Sequence, residues 1–172
     1  DQLHEDSADI VLAGGINAAD DFFVHLGFDG LKALSQNGQS LPFHRQASGL
    51  IPAQGAGFVV LKKLHRAIAD ADPIIAVIRG VGLSNDGVSV GLLSPSKQGQ
   101  VLAMQRAYAS CDLDPNETSL IECHATGTQL GDKIEIESMQ EFFANTQGLT
   151  LTTLKSNIGH TLTASGIMAL IR

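Results

Sequence analysis

Residues 120–137 read LIECHATGTQLGDKIEIE, and residues 153–161 read TLKSNIGHT. In both stretches a short apolar run stops, a histidine stands in or beside a turn rich in Gly, Thr or Asn, and a helical pattern follows. An α/β fold presents chemistry in this way, because ligands bind beyond the carboxyl ends of its strands, where loops carry polar groups out of the packed layers. His124, Lys155 and His160 are therefore candidates for one site. Spacing alone leaves a second reading open, in which the two histidines only cap turns.

The rest of the chain supplies the layers. Strand patterns at residues 9–15, 55–61, 74–81, 119–123 and 149–154 alternate with helical patterns over 17–26 and 64–71, around Met104, around Met139, and from Gly159 onward. The run 74–81, apolar but for Arg79, fits a strand buried on both faces. Asp132 and Glu135 stand at capping-box spacing, which places the N-cap of their helix at Asp132. Residues 27–48 are polar, Gly-rich and without periodicity, as in a functional or covering loop, and a second loop precedes Pro95. The sum is a three-layer α/β architecture with crossovers long enough for parallel pairing.

Composition narrows the function. The 172 residues are 44% hydrophobic and 17% charged, an ordinary globular balance with enough apolar material for one core. Aromatics make up 5% and Trp is absent, which argues for an aliphatic core. A net charge of −7 and a pI of 5.2 argue against nucleic acid or an acidic membrane surface as partner. No apolar run approaches the roughly 20 residues of a membrane helix, and the start lacks a signal-like region. Two cysteines are too few for a disulfide framework and fit a reducing cytoplasm. An acidic start running straight into a strand, and a last helix with no C-cap, lead us to expect a piece of a longer protein.

Other candidates weigh less. His4, His25, His44 and His65 read as surface or loop histidines. Cys123 and His124 are neighbours in a strand, so their side chains diverge, and no four-ligand zinc spacing is present. Cys111 lies beside Asp112 and Asp114, which disfavour its thiolate. The Gly-rich stretch 49–57 lacks the Gly-Lys-Ser/Thr of a phosphate loop.

HATGTQLGDKIE, from His124 to Glu135, resembles the H-G-T-G-T-x-x-G-D-x-x-E signature of β-ketoacyl synthases, and KSNIGH, from Lys155 to His160, resembles their K-x-N-x-G-H. Similar stretches occur at Ala13 to Asn17, Pro42-Phe43, Gln54 to Leu64, Ile78 to Gly80 and Asn85 to Gly87, so the likeness spans nearly the whole chain. Its details are closer to ketosynthase domains of modular, type I polyketide synthases than to free-standing fatty-acid enzymes. The resemblance implies a thiolase-like fold, with residues 1–73 ending one α/β half and residues 74–172 beginning the other. It implies decarboxylative Claisen condensation between an acyl thioester and a malonyl-type thioester, carried on the phosphopantetheine arm of an acyl carrier protein, with no bound cofactor or metal and a homodimeric full-length protein.

By the same resemblance, His124 and His160 would donate hydrogen bonds to the enolate oxygen, Lys155 and Glu135 would form an ion pair that orients the site, and Thr126 and Thr128 would bind the pantetheine arm. Asp132 would be a structural cap. The sequence also departs from the pattern. The family's nucleophilic cysteine precedes the Ala13 strand, and neither Cys111 nor Cys123 falls on its position, so the chain alone is expected not to condense anything. His44 stands where aspartate is common, Gln54 where glutamate is, and Ala125 where glycine is. A thiolase, or a non-catalytic carrier-binding or chain-length partner, are the competing readings.

Overall fold

The computed structural model describes residues 2–18, 22–87 and 94–172. Its elements are β1 (Ile10–Asn17), α1 (Phe22–Gly30), β2 (Gly55–Lys62), α2 (Leu64–Ala69), α3 (Lys97–Ala109), β3 (Leu120–Glu122), α4 (Gln129–Phe142), β4 (Thr150–Thr152), α5 (Lys155–Ile158) and α6 (Ser165–Ile171). The helix expected over 17–26 is displaced along the chain: Asn17 still belongs to β1 and α1 runs from Phe22 to Gly30, with residues 19–21 outside the described residues. Most of the expected loop before Pro95, residues 88–93, also lies outside them.

β1 and β2 pair antiparallel, with Ile10 opposite Lys62 and Asn17 opposite Gly55. One face of this pair packs on α6, where Gly57 leaves the room: a Cβ there would stand 2.8 Å from the Ile171 side chain. The other face, with Ile10, Leu12, Phe58 and Val60, is open to solvent. β3 and β4 pair parallel, Leu120 opposite Thr150, and α4 makes the crossover between them. This is the parallel unit that the strand–helix–strand pattern requires.

The core gathers on α4. Cys123, Ala125, Met139 and Phe143 are buried, with Phe43, Met104, Tyr108 and Phe142 packed against them. The scarcity of aromatics argues for an aliphatic core, yet this one is partly aromatic, because several of the few aromatics meet at one place. The rings of Tyr108, Phe142 and Phe143 lie with centroids 4.8 to 5.8 Å apart in tilted and edge-to-face pairs.

Three local expectations are overturned. Residues 74–81 form no strand; Ile75 is fully exposed and Val81 is 65% exposed. A mostly apolar run shows that a segment suits burial on both faces, but it cannot supply neighbouring strands, and none of the described strands reaches this segment. Gly80 instead lies against α3, where a Cβ would stand 2.4 Å from the Ala107 carbonyl oxygen.

The helix expected from Gly159 onward is broken. Gly159 adopts φ +77°, and a Cβ there would stand 2.8 Å from the Ile51 carbonyl oxygen, so the chain leaves α5 and resumes as α helix only at Ser165. The break takes His160 out of helix, and its backbone is then free to pair with residues 51–53.

Finally, Asp132 is not an N-cap. α4 begins three residues earlier, with Thr128 at the cap position, and the Asp132 N–H already bonds to the Thr128 carbonyl at 2.9 Å. The Asp132 carboxylate is thereby released for contacts outside the helix.

Candidate active site

Parallel strands deliver whatever follows them to the same edge of the sheet. His124 leaves β3 and Lys155 follows β4, so two segments far apart in sequence arrive side by side. Glu135 of α4 fixes the first, its carboxylate accepting the N–H of His124 at 2.6 Å and that of Ala125 at 2.7 Å. His160 is held by its backbone: its N–H donates to the Ile51 carbonyl at 2.7 Å, and its carbonyl accepts from Ala53 N–H at 2.9 Å. The two imidazoles meet with ring centroids 5.4 Å apart and planes at 85°.

One hydrogen bond settles a tautomer. Nδ1 of His160 accepts the N–H of Leu162 at 3.1 Å, so the ring proton of the neutral imidazole sits on Nε2. His160 is thus built as a hydrogen-bond donor.

The electrostatics keep both rings neutral. Burial, then the neighbouring His124 and Lys155, push His160 down to about 4. His124 is lowered by desolvation, then by Lys155, with Asp132 opposing. Burial lowers the Lys155 ammonium, while Glu122 and then Glu135 hold it up. Burial raises the Glu135 carboxyl, against the two amide donors that favour its charged form.

A stability consequence follows from His160. Its folded-state value lies below the ordinary 6.5, so the unfolded chain takes up the proton first as pH falls. The native state should keep its full margin above pH 6.5 and lose on the order of 2 kcal/mol by pH 4, after discounting for partial exposure. Urea unfolding of a full-length protein at pH 7 and pH 4.5 should show this loss, and His160→Gln should lack that share of it.

The ion pair implied between Lys155 and Glu135 is replaced by another arrangement. Glu135 spends both oxygens on backbone amides, and no Lys155–Glu135 contact within ion-pair distance occurs among the described residues. Lys155 is 6% exposed. It lines a small cavity, about 10 Å³, with Glu122, Leu154 and Thr161. The hydroxyls of Thr126 and Thr128 lie 3.0 Å apart beside the histidines' turn, with Thr126 buried and Thr128 partly so.

Sequence reasoning misses what ties the 40–50 stretch onto this site. Asp132 reaches across to accept the Phe43 N–H at 2.7 Å and the Gly127 N–H at 3.1 Å. Ser40 donates its hydroxyl to the Lys155 carbonyl at 2.6 Å, and Gly49 N–H bonds the Gly127 carbonyl at 2.9 Å. Residues 27–48 thus include a covering loop, as their length and polarity imply. His44 fills its aspartate position by like means: Nδ1 accepts the Gln46 N–H at 3.1 Å, the contact an Asx turn would make.

Two further residues are placed unambiguously. Cys123 is 2% exposed and its thiol is pushed up to about 12 by burial and by Glu135, which makes it inert. Ala125 adopts φ +26°, a conformation that glycine takes without strain. Ala125→Gly should relieve about 1–2 kcal/mol of strain, offset by the greater unfolded-chain entropy of glycine, for a net gain below about 1 kcal/mol. Denaturant midpoints of the two proteins measure it, and a net loss would contradict the strain.

The sequence matches the model of the family described as "Beta-ketoacyl synthase, N-terminal domain" over residues 1–67 and that of its C-terminal domain over residues 75–172. The chain belongs to the β-ketoacyl synthase family. It is 40% identical over 173 residues to the highly reducing polyketide synthase sorA of Penicillium rubens, covering 99% of this chain and 7% of that protein. It is 35% identical over 170 residues to a mycocerosic acid synthase-like polyketide synthase of Mycobacterium tuberculosis, covering 99% and 8%. The ketosynthase from module 6 of the bacillaene synthase of Bacillus subtilis 168 superposes with a TM-score of 0.94 at 34% identity, covering 98% of this chain and 31% of that one. The PfaC keto synthase–chain length factor superposes with the same TM-score of 0.94 at 45% identity, over 98% and 18%. The fold is therefore that of the thiolase-like ketosynthases, and the chain spans under a tenth of the curated relatives and under a third of these solved ketosynthases.

Proposed function

We propose that this chain carries the decarboxylation half of a ketosynthase site. The observation that carries the reading is the perpendicular pair of imidazoles, with Nδ1 of His160 taken by the Leu162 N–H so that Nε2–H is the donor that ring can offer. A malonyl thioester loses carbon dioxide when the bond between its carboxylate and its α-carbon breaks, and the electron pair moves into an enolate whose charge rests on the thioester oxygen. His124 and His160 donate to that oxygen. Each does so as a neutral ring, and the Lys155 charge beside them helps to keep them so. The carbanion then attacks an acyl thioester; a carbon–carbon bond forms and the acyl group's thiolate leaves.

Glu135 acts here as a clamp on the His124 turn and Asp132 as a clamp on the loop above it. Thr126 and Thr128 bind the pantetheine arm of a carrier protein, which delivers both thioesters, and no cofactor takes part. Neither cysteine supplies the nucleophile: Cys123 is buried, and the Cys111 thiol points to the Ala107 carbonyl at 3.4 Å. Residues 1–73 and 74–172 belong to successive halves of the thiolase-like fold, a division supported by the separate matches to 1–67 and 75–172. The full-length protein works as a homodimer in the cytoplasm.

The test is extender dependence. A full-length protein carrying this chain, given a carrier-bound acyl thioester, should form a β-ketoacyl product with malonyl thioester. Product formation from acetyl thioester in its place would make the enzyme a thiolase, and carrier binding without turnover would make it a non-catalytic partner.

A further inference from the structure

We infer that Asn17 is a positioning residue for His160, an inference that rests on the decarboxylating role just proposed. His160 is held opposite Pro52 by its backbone alone, its N–H bonding the Ile51 carbonyl at 2.7 Å and its carbonyl the Ala53 N–H at 2.9 Å. Proline suits the middle of this bridge, because both bonds fall to its neighbours and the N–H it lacks is not called on. Whatever keeps residues 51–53 still therefore keeps the imidazole still. Asn17 does so directly: its Nδ2 donates to the Ala53 carbonyl at 2.8 Å, across 36 positions of sequence.

The other end of the same amide reaches the chain just after His160. The Thr163 hydroxyl, which donates to the Ile16 carbonyl at 2.7 Å, lies 3.2 Å from Asn17 Oδ1. A half-buried amide at the end of an apolar strand needs partners for both its donor and its acceptor, and here they stand on the two flanks of His160. The support beneath it is strand: Asn17 ends β1 opposite Gly55 of β2. This end of the strand pair meets the 161–164 turn closely, since a Cβ on Gly15 would stand 3.1 Å from the Thr163 carbonyl oxygen and one on Gly55 3.0 Å from Thr161 Cγ2. A donor to a developing oxyanion has to be held within about 0.5 Å of its productive place. Asn17 thus acts on the reaction through the placement of the His160 ring, without touching substrate.

Asn17→Asp keeps the shape but sets an oxygen against the Ala53 carbonyl in place of the donor, whereas Asn17→Ala removes the side-chain amide altogether. The readout is carbon dioxide release from a malonyl thioester by the full-length protein, without acyl donor, with each variant made both alone and in a His160→Ala background. Alone, each should lower kcat by about tenfold and leave KM nearly unchanged. In the His160→Ala background neither should lower the rate further, because the ring it positions is gone. A merely structural role would lower the rate by the same factor in both backgrounds. Equal falls in the two backgrounds, or no fall in either, overturn the inference while leaving the decarboxylating site intact, and if Asn17→Asp does not fold, Asn17→Ala decides alone. A His160→Ala rate equal to that of the unmodified protein would remove the role of His160, and this inference with it.

Discussion

His160→Ala in a full-length ketosynthase carrying this chain should slow carbon dioxide release from a malonyl thioester by about 10²–10³-fold, because a lost donor to a developing oxyanion costs about 3–4 kcal/mol. The enolate charge exists only after the bond begins to break, so the loss should fall on kcat and leave KM nearly unchanged. Tautomer control makes the effect specific: the Leu162 N–H occupies Nδ1, so Nε2–H is the single donor the ring can offer. His160→Gln still presents an N–H and should recover roughly tenfold over alanine. Steady-state decarboxylation kinetics of the three proteins check this, and an alanine variant retaining most of the wild-type rate would remove His160 from the reaction.

Asp132→Ala should destabilise the same protein by about 3–5 kcal/mol, a large share of a typical stability of 5–15 kcal/mol. The carboxylate is 5% exposed and accepts two backbone amides, from Phe43 and from Gly127. Hydrogen bonds to a charged acceptor are each worth about 1.5–3 kcal/mol, and both amides lose that partner together. Phe43 adopts φ +59°, so the turn it occupies is strained and depends on that anchor. Asp132→Asn keeps one acceptor oxygen and should cost about half as much. Urea unfolding measures the loss, and limited proteolysis should show faster cutting within residues 40–50. A loss below about 1 kcal/mol would contradict the clamp.

The contrast between these two residues shows what the sequence discloses. His124, Lys155 and His160 are legible because a strand end, a turn and a helix start are local patterns, and parallel pairing of β3 with β4 then brings the turns together. Asp132 is misread because its local spacing fits a capping box, while its partner Phe43 lies 89 positions away. Ser40 and Lys155 are 115 apart, and nothing near either announces the contact. Residues 74–81 show the complementary failure: their apolarity is real, but burial depends on what lies beside them. The break at Gly159 is half-legible, since a glycine between two polar turns permits φ > 0 without requiring it.

The measurement that bears most directly on the two-histidine site is carbon dioxide release from a carrier-bound malonyl thioester. It should be made with the protein encoded by the complete reading frame that holds this chain, without any acyl donor, beside the His124→Ala/His160→Ala double variant. Equal amounts of carbon dioxide and acetyl thioester from the unmodified protein, and background release from the double variant, are the expected result. Malonyl thioester bound and returned intact, or release undiminished by loss of both imidazoles, would contradict it.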